Sequence, residues 1–276
     1  MGHVVDVGGI EIGDGKTLVL IAGPCVIENF ETAFATASFL KNLSEEFSIP
    51  FIFKTSYDKA NRTSIESYRG PGFLRGLDII SRIKEKLGIR VLSDVHRFPE
   101  IEPAGQVLDV IQIPAFLCRQ TDFVVAVSET GKPVNIKKGQ FLAPWDMAHI
   151  INKVTSVGNE KILLTERGTS FGYNNLVVDF RGLQLMRRLG WPVIFDATHS
   201  VQLPGGAGGC SGGQREFVPM MARAAVAAGV DGVFLEVHEN PEKALCDGPN
   251  SLPLVEMKPL LEQLINLQGA LCGLSR

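Results

Sequence analysis

No run of about 20 uninterrupted apolar residues exists in this sequence, so no membrane-spanning helix is expected. The net charge is small, at −3, which argues against nucleic acid or a membrane surface as the main partner. The five cysteines are odd in number and scattered. They do not form a disulfide framework, and the expectation is reduced thiols in a cytoplasm. Leu20 to Cys25 lacks a basic stretch before it, having Asp6, Glu11 and Asp14 instead, and Pro24 sits directly before Cys25. A secretion signal is therefore not expected there. The chain also lacks Cys-x-x-Cys, His-Glu-x-x-His and a Gly-x-Gly-x-x-Gly after its first apolar run. Any metal site must be assembled from distant residues, and the dinucleotide-binding fingerprint is missing. No low-complexity linker divides the chain, so one domain over residues 1–276 is expected.

What the sequence does contain is a repeating pattern. Val4 to Val7 and Ile10 to Ile12 alternate around Gly8-Gly9, which predicts an N-terminal hairpin within residues 1–15, serving as a cap. Short apolar runs follow at Thr17–Ala22, Phe51–Thr55, Arg90–Asp94, Val107–Ile113, Pro133–Lys137, Lys161–Thr165, Val193–Asp196 and Gly232–Glu236. They are continuous rather than alternating, as strands covered on both faces are. Helical patterns lie between them: Glu31–Phe47, Gly72–Leu87 closed by Gly88, Pro99–Gly105, Thr121–Glu129, Trp145–Val157, Asp179–Leu189, Arg215–Ala228 and Leu254–Leu271. Eight strands alternating with eight helices predict an α/β fold, a (β/α)8 TIM barrel, in preference to a doubly wound sheet. Two connections are long. Ser56–Pro71 is basic and polar. Ser200–Gln214 is rich in glycine (Gly205, Gly206, Gly208, Gly209, Gly212, Gly213), as suits a lid that moves or a backbone that approaches a ligand.

Each apolar run hands over to a residue with chemistry. In order these are Cys25, Lys54, Asp94, Gln112, Lys137, Glu166 with Arg167, Asp196 with His199, and Glu236. A barrel brings all its strand ends to one face, where active sites lie. Barrel closure also sets strands 7, 8 and 1 side by side. Cys25, His199, Glu236 and Asp247 then become candidate ligands of one divalent ion, a mixed S/N/O set suited to Zn²⁺ or Fe²⁺ and tolerable to Mn²⁺. His238, two residues beyond Glu236, competes for that role. The cations Lys54, Lys59, Arg62, Arg119, Lys137 and Arg167 all fall in strand ends or the loops after them, which predicts phosphate or carboxylate ligands. Arg62-Thr63-Ser64 adds hydroxyls and N–H groups at an expected helix start.

These residues carry a family resemblance over nearly the whole chain. The motifs are Ala22-Gly23-Pro24-Cys25, Phe53-Lys54, Asp58-Lys59-Ala60-Asn61-Arg62-Thr63-Ser64, Ser93-Asp94-Val95-His96, Gln112-Ile113-Pro114-Ala115-Phe116-Leu117, Asn135-Ile136-Lys137-Lys138, Thr165-Glu166-Arg167-Gly168, Asp196-Ala197-Thr198-His199-Ser200 and Asp247-Gly248-Pro249. The chain resembles the 3-deoxy-D-manno-octulosonate 8-phosphate (KDO-8-phosphate) synthases. The related DAHP synthases, which use erythrose 4-phosphate, share the fold and the Gly-Pro-Cys but typically carry Lys-Pro-Arg-Thr-Ser where this chain has Lys59 to Ser64. That alternative is disfavoured by Asn61.

The resemblance implies condensation of phosphoenolpyruvate with D-arabinose 5-phosphate and water, giving KDO-8-phosphate for lipopolysaccharide and inorganic phosphate. It implies that Lys59, Lys137 and Arg167 hold phosphoenolpyruvate with Lys54 nearby. Asn61, Arg62, Thr63 and Ser64 would face the sugar phosphate, with Arg119 arriving from a neighbouring subunit of a homotetramer. Asp94, Gln112, Pro114 and Phe116 would line the pocket, and Lys59, Asn61, His199 and Asp247 would serve catalysis. The family has metal-dependent and metal-free branches, the latter with Asn in place of the metal-binding Cys. Pro24-Cys25 is the metal-dependent mark, whereas Cys246-Asp247-Gly248-Pro249 looks like the metal-free loop.

Overall fold

The period-two phase of eight short strands decides this architecture. In the computed structural model, which describes residues 2–206 and 211–272, the strands are β1 (Val19–Gly23), β2 (Phe51–Lys54), β3 (Arg90–Asp94), β4 (Val110–Ile113), β5 (Val134–Lys137), β6 (Ile162–Glu166), β7 (Val193–Asp196) and β8 (Gly232–His238). All pair in parallel with their sequence neighbours, and β7 and β8 pair with each other while β8 also pairs with β1, so the sheet closes into a barrel. A two-residue strand, Leu252–Pro253, extends the far end of β8. The helices are α1 (Phe30–Glu46), α2 (Phe73–Leu87), α3 (Phe98–Val107), α4 (Thr121–Glu129), α5 (Met147–Thr155), α6 (Arg181–Arg187), α7 (Val218–Ala227) and α8 (Met257–Cys272). The expected (β/α)8 TIM barrel is the fold. Expected and observed bounds differ mostly at element ends; Val107 closes α3 rather than opening β4. Single turns of 3-10 helix precede α5, α7 and α8.

Outward strand residues such as Leu20, Phe53, Val91, Ile111, Ile136 and Phe195 pack against the helices in the main core. Inward residues Val19, Ile21, Ile52, Leu92, Val110, Leu163, Ile194 and Phe234 fill the barrel's lower half. The N-terminal hairpin, Val5–Val7 paired with Ile10–Ile12, adds Val5, Val7 and Ile12 to that same cluster and so plugs the bottom. Two residues further along, the inward positions turn polar: Lys54, Asp94, Gln112, Thr165, Asp196 and Glu236, while in β5 both inward positions, Asn135 and Lys137, are polar. Because side chains alternate faces, one phase supplies both an apolar floor and a polar upper layer. Gly23 takes the corresponding position in β1, where a Cβ would lie 1.9 Å from the Lys54 carbonyl oxygen, so any side chain would force the backbones apart.

Candidate active site

The polar layer floors a cavity of about 370 Å³ at the carboxyl ends of the strands, within the usual range for small-molecule sites. Among the lining residues are Lys54, Lys59, Asn61, Arg62, Thr63, Asp94, Gln112, Pro114, Phe116, Lys137, Arg167, His199 and Asp247, all expected there. Ser64 is not among them, and its hydroxyl accepts a hydrogen bond from the Glu66 N–H at 3.3 Å instead. No helix starts at Arg62; the segment is a series of turns, and α2 begins only at Phe73. The turns are pinned at their base by Asp58. Arg69 Nε and Nη2 donate to its two carboxylate oxygens at 2.9 and 2.7 Å, and the Lys59 N–H donates to the Arg69 carbonyl at 2.7 Å. Arg119 is exposed and lies outside this chain's own cavity. Pro204, Gly205 and Ser211 bring the glycine-rich connection to the cavity wall, and Gln202–Leu203 pairs with Gly212–Gly213. Gly208 and Gly209 lie outside the described residues.

One wall is a chain of hydrogen bonds across neighbouring strands. Thr165 Oγ1 donates to Asn135 Oδ1 at 2.6 Å, Asn135 Nδ2 donates to Gln112 Oε1 at 2.8 Å, and Gln112 Nε2 donates to Asp94. Ser56 Oγ adds a bond to Asp94 at 2.8 Å. Burial opposes the Asp94 charge, yet Lys59 and Lys54 hold its pKa at about 2. Lys59 lies 3.9 Å from Asp94 and 3.6 Å from Glu236. Burial likewise opposes the Lys59 ammonium, and its acidic neighbours Cys25, Glu236 and Asp94 keep its pKa well above the usual range. Lys137 pairs with Asp196 and sits over the Phe234 ring, 3.4 Å from its centroid. Burial dominates there and lowers its pKa to about 8. Arg167 Nη2 donates to Gln202 Oε1 at 3.0 Å, whereas its Nη1, and Nε of Arg62, are buried without an acceptor. A buried charged donor left unpaired is unfavourable, so each marks a place where an anion fits.

The opposite wall carries the expected metal ligands. His199 Nδ1 is held by Asp196 Oδ2 at 2.6 Å, the carboxylate–imidazole arrangement typical behind a metal. Its Nε2 faces Glu236 Oε2 at 3.7 Å and Asp247 Oδ2 at 4.0 Å. Glu236 Oε1 is bound by Lys54, but Oε2 is fully buried and has no partner. Cys25 Sγ lies 3.3 Å from Asp247 Oδ2. Donors around a tetrahedral zinc stand roughly 3.3–3.8 Å apart; the His199–Glu236 and Cys25–Asp247 separations match, the His199–Asp247 one is slightly longer, and the orphaned carboxylate oxygen suits a cation. Two overlapping ligand groups occur among the described residues, Cys25–Cys246–Asp247 and His199–Glu236–Asp247. The four candidate ligands are divided between these groups, which share Asp247, and the Cys246 thiol lies beside them. Burial, then the Cys246 thiol and Glu236, push the Cys25 pKa well up, so metal loading must displace its proton.

Two further expectations do not hold within this geometry. His238 does continue β8, but its Nε2 pairs with Glu28 Oε1 at 3.3 Å, away from the ligand groups. Glu166 accepts the N–H groups of Arg167 and Gly168 at 3.1 and 2.7 Å and pairs with buried Lys138, so it shapes the turn rather than the cavity. Sequence reasoning missed Asp58, Asn135 and Gln202 as supporting groups. Asn135 was in principle visible, because it is an amide inside an apolar run. Asp58 and Gln202 act only through folded partners.

A barrel with a polar strand-end layer, unpaired guanidinium donors and a thiol–imidazole–carboxylate group is of the class of enzymes that handle anionic substrates beside a divalent ion. Comparison with known proteins narrows that class. The DAHP synthetase I family profile matches residues 3–271, and the chain belongs to that family. It is 65% identical over 262 residues to a "2-dehydro-3-deoxyphosphooctonate aldolase" of Desulfosudis oleivorans, covering 95% of this chain and 94% of that protein. Proteins of the same name from Trichlorobacter lovleyi and Geobacter sulfurreducens are 62% and 59% identical, over 94% and 96% of this chain and 96% and 97% of theirs. Among the described residues no helix is long and apolar enough to cross a membrane.

Proposed function

We propose that this chain condenses phosphoenolpyruvate with D-arabinose 5-phosphate and water, giving KDO-8-phosphate and inorganic phosphate. Its relatives' shared name, over nearly full length at 59–65% identity, carries this reading in preference to erythrose 4-phosphate chemistry. Carbon 3 of the enol phosphate attacks the sugar aldehyde, whose oxygen takes a proton. Water adds at carbon 2. The bond from carbon 2 to the bridging oxygen then breaks, phosphate leaves with that oxygen, and the 2-keto group remains.

The residues divide this work. Lys59, Lys137 and Arg167 bind the phosphate and carboxylate of phosphoenolpyruvate, filling the vacancy at Arg167 Nη1. Asn61, Arg62 and Thr63 receive the sugar phosphate, and Arg62 Nε supplies a waiting donor. Asp94 and Gln112, fixed by Asn135 and Thr165, orient the substrates between the two anion sites. Cys25, His199, Glu236 and Asp247 hold one ion, which is Zn²⁺, Fe²⁺ or Mn²⁺; when bound it supplies Lewis acidity and orients aldehyde and water. Asp196 fixes the His199 ring. The chain works as a single barrel domain in the cytoplasm, as a homotetramer in which the exposed Arg119 serves a neighbour's sugar phosphate, and nucleic acid has no part. Running the reaction in oxygen-18 water tests the chemistry. The expected product is an eight-carbon keto acid phosphate together with unlabelled inorganic phosphate. Label in the phosphate would mean cleavage at phosphorus and overturn the scheme.

A further inference from the structure

We infer that Cys246 is a second thiolate ligand of the ion, so that this site selects a soft or borderline divalent metal over Mn²⁺. The inference rests on the reading of the site as ion-binding and adds a donor to it. Cys246 Sγ lies 2.9 Å from Cys25 Sγ, with both residues free and buried. It shares a ligand group with Asp247. Two sulfurs on one ion, each about 2.3 Å from it, stand about 3.3 Å apart at a right angle and about 3.8 Å apart at a tetrahedral one, so with five donors as with four the thiols need to separate by less than about 1 Å. The fully buried, unpartnered Oε2 of Glu236 independently marks the cavity between these groups as a place for a cation.

Backbone geometry explains how adjacent residues can both serve. In extended chain, Cys246 and Asp247 would point to opposite sides. Asp247 instead adopts φ +46°, a left-handed conformation uncommon for a residue with a Cβ. The conformation is held by Asn250 N–H and Ser251 N–H, which donate to the Asp247 carbonyl at 3.0 Å each, and by Ser251 Oγ at 3.1 Å. The kink turns both side chains toward Cys25. Charge is also balanced. Two thiolates and two carboxylates exceed the charge of a divalent ion, and Lys54, Lys59 and Arg62 offset the excess. Arg62 Nη1 contacts Cys246 Sγ at 2.8 Å. Thiolate donors favour Zn²⁺, Co²⁺ and Fe²⁺, whereas Mn²⁺ prefers oxygen.

The test is to load purified protein with Co²⁺ and read the near-ultraviolet sulfur-to-cobalt absorption. Cys246→Ser should reduce the band to about half, Cys25→Ser likewise, and the double variant should abolish it. Zinc affinity of Cys246→Ser, measured by chelator competition, should fall about tenfold or more, with Mn²⁺ affinity little changed. X-ray absorption of zinc-loaded wild type needs no variant, and two sulfurs at about 2.3 Å are expected. One sulfur, or an undiminished cobalt band in Cys246→Ser, overturns the role of Cys246 and leaves the Cys25 site and the proposed reaction standing. No sulfur at all in loaded wild type overturns both this inference and the assignment of Cys25.

Discussion

Raising the pH through 8 should remove the proton from Lys137 before phosphoenolpyruvate binds. The Nζ is buried, and burial has brought its pKa from 10.5 to about 8 against the pull of Asp196. The folded value is depressed, so the ammonium is present below about 8 and lost above it. At pH 9 roughly one tenth of free enzyme would keep the charge, so kcat/KM for phosphoenolpyruvate should fall about tenfold per pH unit beyond 8. Bound phosphoenolpyruvate favours the ammonium, so the matching limb in kcat belongs at higher pH. The assay is steady-state phosphate release at saturating arabinose 5-phosphate from pH 6 to 10. Lys137→Arg keeps its charge over that range and should lose the limb even if its overall rate is lower. A wild-type kcat/KM that stays flat to pH 9.5, or a limb that persists at pH 8 in Lys137→Arg, would refute the assignment.

Asp196→Asn should weaken metal binding about 10–100-fold in chelator competition, since it releases the His199 ring from its 2.6 Å partner; unchanged affinity would contradict the role of Asp196. Arg62→Ala should raise KM for arabinose 5-phosphate far more than for phosphoenolpyruvate, and equal effects would reject the two-site division. Asp94 should make acid unfolding steeper. Its folded pKa of about 2 lies below the ordinary 3.8, so its contribution is fully present above pH 3.8 and is lost as pH falls through 2. The shift corresponds to about 2 kcal/mol, and denaturant titrations of wild type and Asp94→Asn should converge towards pH 2.

The barrel was legible because strand and helix periods alternate along the chain, and the polar strand ends were legible as interruptions of apolar runs. Cys25, His199, Glu236 and Asp247 are far apart in sequence, yet their positions after strands 1, 7 and 8 were enough once closure was assumed. Other features depend on which way a side chain turns. His238 sits in phase with Glu236, but Glu28 captures it. Glu166 ends an apolar run as Asp94 does, but two N–H groups of the following turn claim its carboxylate. Cys246 was legible only as part of a loop motif, because its closeness to Cys25 depends on the left-handed turn at Asp247. The pinning of residues 59–69 by Asp58 likewise has no local signature.

The most direct measurement is phosphate release from phosphoenolpyruvate with arabinose 5-phosphate or erythrose 4-phosphate as partner, each with and without a chelator. The account predicts release with arabinose 5-phosphate, lost in chelator and restored by a divalent ion, with little release from erythrose 4-phosphate. A preference for erythrose 4-phosphate, or no release with either sugar, would contradict it.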